Sequence, residues 1–221
     1  MGHTSNQIVT KPGIIRKKKN NNVRLRLLNA ALLLFSERGY EGVAVDDIVA
    51  KAGANKRMVY HYFGSKDGIY GEVLRTVYEE LEAIEISLFT DEKTVEDPVK
   101  AMEKTVTAYF NFLNKHPAFV RLLLWENLNE GRHLANLERP PSKTPMLSHL
   151  SSVLRSGEKS GVFRPGMDCR KVLVSLIGLC LVYFSNRHTL SMALGVDIAK
   201  KSFLDSAAVH TAQILVRGIS A

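Results

Sequence analysis

Cysteine is scarce in this sequence, and what little there is excludes a disulfide scaffold. Its two cysteines, Cys169 and Cys180, fall in one predicted helix about 16 Å apart along the axis at 1.5 Å per residue. They cannot bridge each other at that separation. Neither has a Cys or His at metal-ligand spacing, so both read as inert thiols and no metal is expected. Long hydrophobic runs are missing too. The longest uncharged apolar run, Val172 to Phe184, is too short to cross a bilayer and reads as a helix buried on all sides. The first dozen residues are polar, which fits no secretory signal, and Asn6 stands where myristoylation requires Ser or Thr. Cytoplasm is the expected compartment.

Catalytic signatures are equally thin. The seven histidines His3, His61, His116, His133, His149, His188 and His210 are scattered without a pair at i, i+4. There is no glycine-rich phosphate loop and no nucleophile elbow. The expectation is therefore no enzyme, no cofactor and no catalytic residue. No strand alternation persists anywhere, and an apolar content of 45% with 24% charged residues predicts a packed, all-α chain.

What is present is positive charge, unevenly placed. Residues 1 to 70 carry twelve Lys and Arg against five Asp and Glu, a net of +7, whereas the other 151 residues carry 18 against 17, a net of +1. Such a localised field suits phosphate binding, although membranes and acidic partners attract it as well. The segment from Met1 to Asn22, ending in "KKKNNN", has no apolar periodicity and is expected to be a disordered basic tail in which Lys17, Lys18 and Lys19 mainly solubilise.

Order is expected from Val23. Leu27, Leu28, Ala31, Leu34 and Phe35 recur at helical spacing, and Gly39 follows as a stop. A short second helix places Val45, Ile48, Val49 and Ala52 on one face, with Asp46 and Asp47 in the first turn where the dipole favours them and Gly53 at its end. The stretch "ANKRMVYHYF" then gives a third helix. At 100° per residue Val59 and Phe63 face inward, Arg57 and His61 point away, and Tyr60 lies on the flank. Two short helices joined by a tight Gly turn, the second displaying cations and rings, make a helix-turn-helix. The alternative that the rings simply pack holds for Phe63 and partly for Tyr62.

The run from Arg24 to Leu74 resembles the DNA-binding region of the TetR family of bacterial transcriptional regulators. Ala30, Ala31, Phe35, Gly39, Tyr40, Asp47, Ile48, Ala52, Gly53, Tyr60, Phe63, Ser65 and Lys66 carry the likeness. It implies DNA contacts from Asn55, Lys56, Arg57, Tyr60, His61 and Tyr62, and a phosphate contact from Lys66. Ser65 is also a good N-cap, and the helix N-terminus it opens suits an anion. Ala44 departs from the family's capping Thr or Ser, so one capping bond is expected to be missing. Val49, Asn55 and Arg57 also depart from the family's usual residues.

The rest of the chain also reads as helix, with loop at "ERPPSKTPM". Expected helices run from Lys66 to about Leu88, over "DPVKAMEKTVTAYFNFLNKHP", over "AFVRLLLWENLNEGRHLANL", from Leu147, from Cys169 to Gly195, and from Asp197 onward. The resulting division is a tail over 1–22, a three-helix DNA-binding head over 23–70 and a larger helical body over 71–221. By the resemblance, the body binds a small effector and its last two helices form a homodimer interface. Phe112, Trp125 and Glu126 are the expected pocket walls. A hydrolytic pair built from Glu126 and His133 is imaginable, but anchoring of a helix end is preferred. The expected function is a dimeric repressor released from a palindromic operator by a small molecule. A helical carrier or enzyme with a vestigial head stands second, and an architectural nucleic-acid protein third.

Overall fold

The computed structural model describes residues 23–89, 96–139, 142 and 144–221. The basic tail lies outside the described residues. Among the described residues there are eleven helices and no strand, with one isolated bridge between Phe163 and Ser220. No single helix is long and apolar enough to cross a membrane.

The helices are α1 (Val23–Arg38), α2 (Val45–Ala52), α3 (Lys56–Phe63), α4 (Lys66–Phe89), α5 (Pro98–Lys115), α6 (Pro117–Leu128), α7 (Arg132–Ala135), α8 (Thr144–Lys159), α9 (Cys169–Ser185), α10 (Arg187–Leu194) and α11 (Lys201–Ile219). The predicted stripe of α1 is buried throughout, and Ile48 of α2 and Val59 of α3 close onto it. Each of the leucine, isoleucine, valine and phenylalanine side chains among them contributes about 1.5–3 kcal/mol on leaving water. α4 spans about 36 Å at 1.5 Å per residue, packing on α1 and α3 at one end and on α8 farther along. Arg24 of α1 ties these elements together: it pairs with Glu72 of α4 and lies over the Phe63 ring of α3, 5.3 Å from its centroid. Burial alone would raise the Glu72 carboxyl, yet Arg75 and Arg24 hold it below its ordinary range.

Several expected elements are corrected. The stretch read as one helix after Pro117 divides into α6 and α7, because Glu130 and Gly131 turn the chain at φ 58° and 68° and the Gly131 amide bonds back to the Glu126 carbonyl at 2.7 Å. The run from Cys169 to Gly195 is two helices bent by 73°. At the break, Ser185 donates to the Leu181 carbonyl and to the Asn186 amide oxygen, local bonds that compete with helix propagation. α8 begins at Thr144, earlier than expected, with Pro145 in a first turn that needs no proline N–H. Asp197 opens a turn, its carboxylate accepting from the Ala199 amide at 3.0 Å, and α11 starts at Lys201.

The run Val172 to Phe184 is not buried on all sides. Leu176 and Cys180 are fully enclosed, but Val174 is 70% exposed and shares an outer face with Gly178 and Val182. α11 presents Val209 and Ile214 outward in the same manner. Burial pushes the Cys180 thiol up to about 12, in keeping with an inert core cysteine.

Gly39 allows a close approach that no side chain would permit. It has φ 69°, and a Cβ there would come within 2.9 Å of the Trp125 ring. Gly53 has φ 57° with open space around it. Gly53→Ala is therefore expected to cost about 1–2 kcal/mol from backbone strain alone. Gly39→Ala should add an overpacking cost of about 1–3 kcal/mol. Urea unfolding of the two variants side by side checks the difference.

Candidate nucleic-acid interface

The geometry of α3 follows from its two ends. Asn55 caps it, its side-chain oxygen accepting the Arg57 amide at 2.7 Å. Gly64 closes it, its amide bonding to the Tyr60 carbonyl. Ser65 then caps α4, accepting the Gly68 amide at 3.0 Å, and Gly68 is needed there because a Cβ would lie 1.8 Å from the Phe63 carbonyl oxygen. α2 starts less securely. Asp47 accepts the Ala44 amide at 2.9 Å, but the Ala44 methyl offers no acceptor in return, so half of a capping box is missing.

With Val59 buried and Met58 and Phe63 half-buried, Arg57 and His61 point away from the core and Tyr60 and Tyr62 lie on the two flanks of α3, all four exposed. His61 and Tyr62 meet edge to face at 4.9 Å. Arg57 has no ion-pair partner among the described residues. Two other members of the predicted set have partners. The oxygen of Asn55 is used in its cap, and Lys56 bonds to Asp46 on α2 at 3.1 Å, which raises the pKa of its ammonium. Lys66 stands apart from α3, its ammonium 4.1 Å from the centre of the Tyr40 ring at the start of α4. Of the twelve cations in residues 1 to 70, five lie in residues 1 to 22; the described part of the head carries seven against five acids. The head's field is thus concentrated by placement more than by amount.

A seam joins the head to the body through α4, α6 and α7. Glu126 of α6 is 1% exposed. Its Oε1 accepts the Tyr70 hydroxyl at 2.8 Å and faces the His133 Nδ1 at 3.0 Å, while its Oε2 accepts the Leu134 amide at 3.2 Å. Burial first, and then the bond to Glu126, keep the Tyr70 phenol protonated far above its usual range. The Tyr40 ring packs on His133 at 4.4 Å and its hydroxyl donates to Asp67 at 2.5 Å. Burial and that bond push the Tyr40 phenol up to about 12. Trp125 lies against Gly39, and Arg132 pairs with Glu41 at 2.7 Å across the same seam.

Glu126 and His133 are therefore brought together, but their polar atoms are committed to holding α7 and α4 in place. Phe112 is buried elsewhere, between His116 and Phe119. None of Phe112, Trp125 and Glu126 lines the cavity of about 230 Å³ at the other end of α6, whose walls include Arg121, Arg187 and Phe184. Sequence reasoning missed that cavity because its walls come from three stretches far apart in the chain, 113–124, 183–188 and 199–204. It also missed the seam: the clue in "WENLNEGRH" was its buried-type Trp beside an acid, but the partners Gly39, Tyr40 and Tyr70 lie far off in sequence.

Residues 27–73 match the family model described as bacterial regulatory proteins, tetR family, and residues 98–215 match the tetracyclin repressor-like C-terminal domain. The chain is 30% identical to the HTH-type transcriptional repressor NicS of Pseudomonas putida over 206 residues, covering 93% of this chain and 96% of that protein. It is 26% identical to the HTH-type transcriptional repressor SCO4008 of Streptomyces coelicolor, covering 71% and 75%. The fold is similar to the ketosteroid transcriptional regulator KstR2 of Mycobacterium tuberculosis, with a TM-score of 0.66, 23% identity and coverage of 92% and 97%.

Removing the Glu126 carboxylate should loosen the seam. Glu126→Ala is expected to cost on the order of 1–3 kcal/mol for each buried donor it strands. Glu126→Gln retains an acceptor for Tyr70 and should cost less. Urea unfolding measures both, and the emission of Trp125, the single tryptophan, should shift to the red in the Ala variant.

Proposed function

The chain belongs to the TetR family of bacterial regulatory proteins, and from that premise we propose that it is a dimeric repressor that leaves a palindromic operator when a small molecule binds the body. Its function as a DNA-binding transcriptional regulator follows from the kinship. The observation that carries the finer reading is α3 itself, anchored through Val59 with Arg57, Tyr60 and His61 turned outward together. A helix of this size fits the major groove, where an arginine fork can read guanine and tyrosine hydroxyls can donate to phosphates. In this reading Lys66, at the N-terminus of α4, meets the phosphate backbone beside that groove. Lys56, held toward Asp46, must exchange that partner for phosphate, and Asn55 offers only its amide nitrogen.

One reading helix binds weakly, so two are needed over a two-fold site. The outward faces of α9 and α11 suit that pairing: Val174, Val182, Val209 and Ile214 are apolar, and Gly178 and Gly218 leave room for close approach. In this reading residues 23–70 are the head and residues 71–221 the effector-binding and dimerising body.

The switch runs through more than α4. α6 reaches from the body to the seam, where Trp125 and Glu126 grip the head. A ligand that favours a different position of α6 would shift the head through that grip, and DNA and ligand would each weaken the other by the same factor. Emptying a filled operator in this way needs differential affinity of about 5.5 kcal/mol.

Selection of bound genomic fragments by the purified protein tests the reading directly, with a palindromic consensus expected. Against that site, Arg57→Ala should weaken binding by about 1–3 kcal/mol and relax preference at one position per half-site. Lys66→Ala should weaken all sequences alike. Val174→Arg should yield a folded monomer by sedimentation, with loss of tight operator binding, whereas Leu176→Arg should unfold the chain because it buries a charge in the core. Retention of little DNA would favour the carrier reading instead, and retention without preference the architectural one.

A further inference from the structure

A cavity of about 230 Å³ opens where the α5–α6 corner meets the α9–α10 break and the approach to α11. Its floor is apolar: Leu113, Val120 and Leu204 are buried, and Tyr183 and Phe184 add aromatic walls. Its rim carries Arg121, Arg187 and His188. No Asp or Glu is among the lining residues. Neither arginine has a carboxylate partner among the described residues, and Arg187 is oriented by its Nε donating to the His188 Nε2 at 3.3 Å. The neighbouring acid, Asp197, is already engaged with the Ala199 amide.

This combination selects a ligand by chemistry. A guanidinium is charged at every physiological pH and presents a planar fork that matches a carboxylate. Two of them at the mouth of an apolar pocket, without a counter-charge, attract an organic anion and repel a cation. The volume lies below the roughly 300–1,000 Å³ of sites for drug-sized ligands, so the anion must be compact.

We propose that this cavity binds a small organic carboxylate with an aromatic or alicyclic body. The carboxylate is met by Arg121 and Arg187, and the body rests on Leu113, Val120 and Leu204. The site rests on the effector-responsive reading above and supplies the chemical class of the effector. It also has a route to the head, because Leu124 lines the cavity and the next residue, Trp125, packs on Gly39.

Calorimetric titration of the full-length protein with benzoate, phenylacetate, cyclohexanecarboxylate and hexanoate, each beside its uncharged amide, tests the proposal. At least one acid is expected to bind saturably, one per chain and at least roughly tenfold tighter than its amide, as a charge-assisted contact requires. Arg121→Gln and Arg187→Gln should each weaken that acid by a similar factor while the melting temperature of the ligand-free protein stays unchanged. No binding by any of the four acids, equal binding by acid and amide, or full affinity retained in both arginine variants would overturn the site. Operator binding is measured separately: an operator bound with no acid bound removes this site and leaves the regulator standing, whereas absence of any preferred operator removes the regulator whatever the cavity binds.

Discussion

The buried carboxylate of Glu126 is the constraint on which the arrangement of head and body depends. A carboxylate withdrawn from water must be met by donors, and here they come from three places: the Tyr70 hydroxyl on α4, the His133 ring and the Leu134 amide on α7. Once Glu126 is satisfied, α4, α6 and α7 are fixed together. Tyr40 then packs on His133, and through Phe35 and Tyr70 the aromatic contacts extend into α1. The head is thus held to the body by directional contacts as well as by apolar packing.

That design gives the protein two mechanical routes between its parts. α4 is the continuous one, shared between head and body. α6 is the second, and it begins beside the arginine-rimmed cavity and ends at the seam. Two helices gripping one head at different points resist independent motion, so a displacement of either must be accommodated by the other or by the head itself. Packed cores are bistable more readily than they are elastic, and a seam made of directional bonds suits such a two-position device.

The outer surfaces divide the remaining tasks. α3 exposes polar, cationic and aromatic side chains over a buried valine, a surface suited to a groove lined with phosphates and base edges. α9 and α11 expose valine, isoleucine and glycine, a surface suited to a copy of itself. The short α10, turned sharply at Asn186, supplies Arg187 and His188 to the cavity rim.

Much of this was legible in the sequence, because it depends on neighbours three or four residues apart. The inward stripe of α1, the cap at Ser65, the turns at Gly39 and Gly53 and the outward face of α3 all follow from local spacing and local hydrogen bonds. The membership of residues 27–73 in a known family was visible for the same reason. Tertiary structure alone decided the rest. Whether Leu176 or Val174 faces the core depends on where α5 and α11 lie. That Glu126 and Trp125 form a seam depends on Tyr70 and Gly39, more than fifty residues earlier. That Arg121 and Arg187 share one rim depends on the bend at Asn186. Periodicity within a helix identifies a face, but only packing between distant helices determines what that face meets.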